Sequence, residues 1–216
     1  MKLKLYHCPM ACSRVTINAL EETGLEYDDQ AINILKGEQK SPGYLAIHPG
    51  GKVPALQVDD TVLTENASIL MFLHEIAPGA RLLPEVTTAV ERAQQRSDLI
   101  WCAGTVHPMV RQVRMPIRFT DGDPSGVQQK GVEYLNGVAG QVNNRLEEGN
   151  WWYGEDWSIV DVYLFWLFTT AASAGYALDG YPNLVSLIGA VQERPGFQRA
   201  LARERAAAEA VGLSLG

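Results

Sequence analysis

The 216-residue chain carries 25 acidic and 18 basic residues, and a net charge of −7 argues against nucleic acid as the main partner, since phosphate binding needs a basic surface. Its 46% hydrophobic content is enough for a real core, in one domain or two, and no apolar run approaches the roughly 20 residues of a membrane span. The polar start MKLKLYHCPM is no signal peptide, and three cysteines without zinc-type spacing to the four histidines point to a reducing cytosol and no structural metal.

Taken in order, residues 3–6 alternate as a first strand. Cys8-Pro9-Met10-Ala11 reads as a loop, and a helix begins at Cys12 or Ser13, carries Val15, Ile17 and Leu20, and stops at Gly24. A second strand is expected over residues 27–33, then a polar, turn-rich stretch and a short irregular helix at residues 44–47. Gly50-Gly51 break the chain, residues 53–58 form a third strand, Asp59-Asp60 turn it, and residues 61–64 form a fourth. Glu65-Asn66-Ala67-Ser68 then place acceptor side chains where a helix with an apolar face of Ile69, Leu70, Phe72, Leu73 and Ile76 should begin. The order β-α-β-α-β-β-α is a thioredoxin-like layout that closes near Ala77.

Beyond it the texture changes. A Pro/Gly-punctuated linker covers residues 79–88, and helical apolar spacing runs from Ala89 to Arg114. A Pro/Gly-rich break at 115–126 precedes a helix over 127–148, and Trp151-Trp152-Tyr153-Gly154 is a turn. Ser158-Ile159-Val160-Asp161 has capping-box form and opens a very apolar helix over 162–174, too short for a membrane anchor. Helices start again at Pro182 and Pro195, and the chain ends beyond Ala206-Ala207-Ala208 in a mobile Gly-containing tail. The expected organisation is therefore a thioredoxin-like domain (residues 1–78), the linker, and an all-helical domain (residues 89–216).

Several residues sit where chemistry is possible. Cys12 lies at a helix start, where free N–H groups and the positive helix end favour thiolate over thiol; the alternative is a small inert side chain. Pro54 is either an edge-strand proline or a cis proline at a tight crossing. Glu65 and Asn66 either cap a helix or greet a zwitterion, with N–H groups for its carboxylate and Glu65 for its ammonium. In an acidic chain, a pocket for a small anion must be locally positive, which directs attention to Arg14, Lys36 and Lys52.

VPAL followed by TENASI resembles the glutathione-binding core of the glutathione S-transferase family, with Asn66 in place of the usual serine. The stretch YHCPMACSRV is similar to the bacterial beta-class pattern Tyr-x-Ser-Pro-Gly-Ala-Cys-Ser, with Cys12 on the glutathione-contacting cysteine, Cys8 on a serine and Met10 on a glycine. The resemblance implies a cis Val53–Pro54 bond, glutathione as cosubstrate bound along Val53, Pro54, Glu65 and Asn66, and a lysine for its glycyl end at Lys36; Lys52 is a further candidate for binding it on the ground of local positive charge. It implies Cys12 as the catalytic residue, Ser13 as its serine-type rival, and His107 as a partner from the helical domain. An electrophile would enter against a face carrying Trp101, Met109, Arg111 and Arg114. The expected protein is a cytoplasmic homodimer that conjugates glutathione to small electrophiles or exchanges thiols with small disulfides, with no membrane or nucleic-acid partner. The rival reading is a catalytically idle adaptor that keeps the fold.

Overall fold

The computed structural model describes residues 1–213. The chain forms two compact units: residues 1–82 together with those from 194 onward, and residues 83–193.

In the first unit, β1 (Leu3–His7), β2 (Asp28–Ala31), β3 (Ala55–Val58) and β4 (Thr61–Thr64) make one sheet in the order β2-β1-β3-β4. β1 and β2 run parallel from Lys4 opposite Asp28 to His7 opposite Ala31, while β3 is antiparallel to both β1 and β4. Alternation divides the side chains between two faces. Leu5 and Leu56 are fully buried, as are Ile17 and Leu20 of α1 (Ser13–Thr23) and Ile69, Leu70 and Leu73 of α3 (Asn66–Ile76). Tyr6 and Ala55 instead join Ile32 and Tyr44 in a separate cluster; Tyr44 belongs to the short helix α2 (Pro42–Ile47). Gly24 ends α1 at φ 67, donating its N–H to Leu20, as its place in the sequence suggests. β2 is shorter than expected. Past Ala31 the side chain of Asn33 accepts from the Leu35 and Lys36 N–H groups, which turns the chain before more ladder can form.

The C-terminal helix is the larger difference from the expected boundaries. α9 (Pro195–Val211) packs on α1 and β2 and so completes the first unit. Arg194 pairs with Glu22 at 3.1 Å, Arg203 with Glu21 and Asp29 at 2.9 and 2.6 Å, and Arg14 with the fully buried Glu204 at 2.6 Å. The helix runs through Ala206-Ala207-Ala208 to a Gly212 cap at φ 66; the expected tail beyond residue 213 lies outside the described residues.

The second unit holds α4 (Ala89–Ile100), α5 (His107–Arg114), α6 (Ser125–Arg145), α7 (Ile159–Ala172) and α8 (Pro182–Gln192). Between α4 and α5 the run expected as plain helix is π-helical over Trp101–Val106, with the His107 N–H reaching back to Cys102. Pro108 explains it: a proline removes one helix donor and its ring crowds the preceding turn, which widens. α7 is buried along nearly its whole length, and among the described residues no helix is long and apolar enough to cross a membrane.

The start of α7 is locked by a buried carboxylate. Asp161 accepts from the Ser158 N–H and hydroxyl at 2.8 and 2.9 Å and from the Trp152 N–H at 2.7 Å. Burial pushes its pKa up to about 6 even against these donors. Ser158→Ala should lower the unfolding free energy by about 1 kcal/mol, and Asp161→Ala by more, because it orphans buried donors at about 1–3 kcal/mol each. A raised carboxyl pKa means the folded state holds the proton more tightly, so this group adds stability as pH falls through 6 toward its ordinary value. Urea titrations should therefore find the gap between wild type and Asp161→Ala wider at pH 5 than at pH 7, by about 1 kcal/mol. A gap that narrows on acidification would contradict the assignment.

Candidate functional site

Two helix starts converge in the first unit. Cys12 is the N-cap of α1 and Glu65 the N-cap of α3, and neither helix start is closed by a side-chain cap. The first-turn N–H groups of such helices have no intrahelical acceptor, so both ends attract negative charge. The Cys12 thiol, 8% exposed, donates to the Val53 carbonyl at 3.5 Å. Val53–Pro54 is cis, as the resemblance implied. Tyr44 Oη donates to the Lys52 carbonyl at 2.6 Å and fixes the approach to this segment.

Asn66 ties the two helices together. Its amide donates to the Cys12 carbonyl at 2.8 Å, and its Oδ1 accepts from the Thr16 hydroxyl. The side chain is 5% exposed and is engaged between helices, not in capping α3. Glu65 is exposed at φ 66, ψ 120, a backbone state that costs a non-glycine residue about 1–3 kcal/mol and is typically retained where function needs it.

Ser13 is fully buried, and its hydroxyl donates to the Cys8 carbonyl at 2.9 Å and accepts from the Cys8 N–H at 3.1 Å. That reciprocal pair closes the loop and commits the hydroxyl. Met10, at φ 64, takes up the backbone state that a glycine would adopt freely, and Glu204 accepts its N–H at 2.9 Å. Arg14, which the sequence offered as a source of positive potential, is neutralised by the same Glu204.

The three thiols are not equivalent. The Cys8 thiol lies against the Ile34 backbone beyond β2, whereas that of Cys12 faces Val53 before β3, so the two point to opposite flanks of β1. Burial raises the pKa of Cys8, with Glu204 and Glu38 adding to the shift, and raises that of the fully buried Cys102 further.

Lys36 is exposed and directs its ammonium to the Val211 carbonyl at the end of α9, 3.5 Å away. Lys40 and Lys52 instead lie within electrostatic range of His48, as does Glu65. His48 is the residue that sequence reasoning left without a role. Its Nδ1 accepts from the Gly50 N–H at 3.1 Å, and burial, reinforced by the two lysines against the pull of Glu65, lowers its pKa. Lys40 also reaches the Gly50 carbonyl at 3.5 Å. Gly51, at φ 57, has no room for a side chain: a Cβ there would fall 2.7 Å from the Gln39 carbonyl and 2.8 Å from Lys40 Nζ. Its glycine was visible as a chain break, whereas this crowding was not.

His107 belongs to the second unit. Its ring stands edge-on to Trp166, with centroids 4.6 Å apart at 83°, and its Nε2 accepts from Arg111 Nε at 3.1 Å. Among the described residues, no group of three or more metal-ligating side chains is gathered as a metal site.

Known proteins resemble this chain along nearly its whole length. Residues 1–75 match the model of the glutathione S-transferase N-terminal domain, and residues 128–204 that of the C-terminal domain. Maleylacetoacetate isomerase of Pseudomonas aeruginosa is 30% identical over 204 residues, covering 93% of this chain and 95% of that protein. Glutathione S-transferase GstA of Escherichia coli O157:H7 is 29% identical over 206 residues, 94% of this chain and 98% of the relative. Among solved structures, the beta-class glutathione S-transferase of Sphingomonas chungbukensis aligns with a TM-score of 0.82 at 30% identity, covering 93% and 98% of the two chains. A glutathione transferase homologue from Sulfitobacter with bound glutathione aligns at 0.84 and 29%, covering 94% and 98%. The chain belongs to the glutathione S-transferase family.

Proposed function

We propose that the protein is a glutathione transferase in which Cys12 is the sulfur that meets glutathione, acting on small electrophiles, on small disulfides, or on both. The observation that carries this reading is the convergence of two uncapped helix starts on the Cys12–Val53 contact, with Asn66 locking them together. Glutathione lies along Val53, Pro54, Glu65 and Asn66. Its γ-glutamyl carboxylate faces the first turn of α3 and its ammonium faces Glu65. Lys40 and Lys52, the cations nearest His48, are better placed than Lys36 to attract its other carboxylate.

In conjugation, glutathione's thiolate attacks the electrophilic carbon and the leaving group departs with its electron pair. In exchange, the Cys12 thiolate attacks the glutathionyl sulfur of a mixed disulfide between glutathione and a small thiol, the old S–S bond breaks, and the released small thiolate takes up a proton; the thiolate of a free glutathione then attacks the glutathionyl sulfur held on Cys12, which restores Cys12 and releases glutathione disulfide. Because Cys8 faces away, exchange runs through Cys12 and external thiols alone. Ser13 acts by holding the loop. His107, in the second unit, is a further proposed catalytic residue, and its Nε2 accepts from Arg111 Nε. Relatives named as enzymes along nearly the whole chain weigh against the idle-adaptor reading. The protein works in the cytoplasm as a homodimer, and the exposed Val90 and Ile100 on α4 suit an isologous contact.

Treatment with oxidised glutathione should add one glutathione, mapped by peptide digestion to Cys12, and Cys12→Ala should abolish both the adduct and any disulfide reductase activity. An adduct on Cys8 or Cys102, or loss of all turnover in Ser13→Ala with the fold intact, would transfer the role to another residue. Glu65→Ala should weaken glutathione binding about tenfold by calorimetry, since a hydrogen bond to a charged group is worth about 1.5–3 kcal/mol; unchanged affinity would remove Glu65 from the site. Light scattering at micromolar concentration should give twice the subunit mass, and a monomer there would count against the dimer.

A further inference from the structure

We propose that the face of α5 bearing His107, Arg111 and Arg114 is a carboxylate-binding subsite, so that the preferred electrophiles of this transferase are acids; this rests on the transferase reading above. The three residues are spaced i, i+4 and i+7 and share one face of the helix, while Val110 and Val113 are buried. Arg111 and Arg114 are exposed, as is Arg118 in the turn that follows.

The charge distribution is unusual for this chain. The second unit holds thirteen acidic residues against seven basic ones, yet no acid occurs between Asp98 and Asp121, and three of its arginines fall inside that window. None of the three is paired with a carboxylate among the described residues. The acids of the elements packed around this stretch are engaged elsewhere. Glu91 is tied to Thr88 at the start of α4, and Asp98 accepts from Trp152, Tyr153 and Gln94. Glu133 on α6 pairs with Lys130, and Asp161 on α7 is held by Ser158 and Trp152. Among the described residues these three exposed arginines of an acidic unit thus have no carboxylate of the chain's own beside them.

The arginine face is also pre-set. Trp166 stands edge-on to the His107 ring, and His107 Nε2 accepts from Arg111 Nε, which engages that guanidinium through its inner nitrogen. A planar fork held from behind suits bidentate capture of a carboxylate better than a lysine ammonium would. The π-helical turn of Trp101–Val106 immediately precedes it, and such distortions commonly accompany ligand sites.

The test uses two matched pairs. Calorimetry compares the unreactive 3-nitrobenzoate with its methyl ester, and turnover with glutathione compares 4-chloro-3-nitrobenzoate with its methyl ester. In the reaction, the glutathione thiolate bonds to the chlorine-bearing ring carbon and chloride leaves with the C–Cl electron pair. Wild type should bind 3-nitrobenzoate more tightly than the ester, and that advantage should shrink as salt is raised. Arg111→Gln and Arg114→Gln should each lower the acid-to-ester ratio of affinity and of kcat/KM by about tenfold, and Arg111→Lys should restore part of it. Equal ratios in wild type and both glutamine variants would overturn the subsite. If wild type turned over neither chlorinated compound but the 3-nitrobenzoate preference still collapsed in the variants, the subsite would stand and the transferase reading would fall.

Discussion

The amide of Asn66 is the interaction on which the arrangement of the first unit turns. It is buried, and one side chain both donates to the Cys12 carbonyl and accepts from the Thr16 hydroxyl, so the start of α3 fixes the start of α1. A carbonyl at a helix N-cap already serves the helix as an acceptor, and a second donor immobilises it further. The Cys12 thiol is thereby held against Val53, and the uncapped first turns of both helices keep a constant separation. Replacing a hydroxyl by an amide at this position lengthens the reach of the side chain, and the added length is absorbed by the contact between helices. The Asn66 side chain is thus occupied within the protein, while its neighbour Glu65 stays exposed at an unfavourable φ.

Much of this was legible in the sequence because it follows from local rules. The alternation in β1, the Gly24 stop, the Ser158–Asp161 box and the hairpin turn at Asp59-Asp60 each depend on a few adjacent residues, and each forms as expected. Cys12 at a helix start and the change of texture after Ala77 were equally visible. What could not be read depends on partners far away in the chain. Nothing in Glu204 itself says that it will be buried against Met10 and Arg14, some 190 residues earlier. Arg14 therefore looked like free positive charge, Ser13 like an available hydroxyl and Lys36 like a ligand cation. Each turned out to be engaged by a partner that no motif announces. His48 was passed over for the converse reason: its significance lies in three charges brought near it by two loops and a helix start.

The two units also treat charge differently. In the first, cations and carboxylates interlock along the seam between α1 and α9, and several are half-buried. Such pairs contribute less through Coulomb attraction than by penalising any other alignment of the two helices, because a buried charge without its partner is costly. In the second, the buried carboxylates serve backbone and indole donors, while the arginines of α5 stand apart. The seam fixes geometry, whereas the arginine face offers recognition.

The position of α9 has a consequence for how the chain acquires its structure during synthesis. Residues 1–82 leave the ribosome first, but the loop carrying Cys12 lacks the Glu204 acceptor and α1 lacks its ion-pair partners until the last helix emerges. Domains usually fold in order as they are made. Here the earlier unit must wait for the later one to be completed, with the strand and helix that flank Cys12 exposed in the meantime. The loop that carries Cys12 therefore reaches its final hydrogen bonding only when the polypeptide is almost finished.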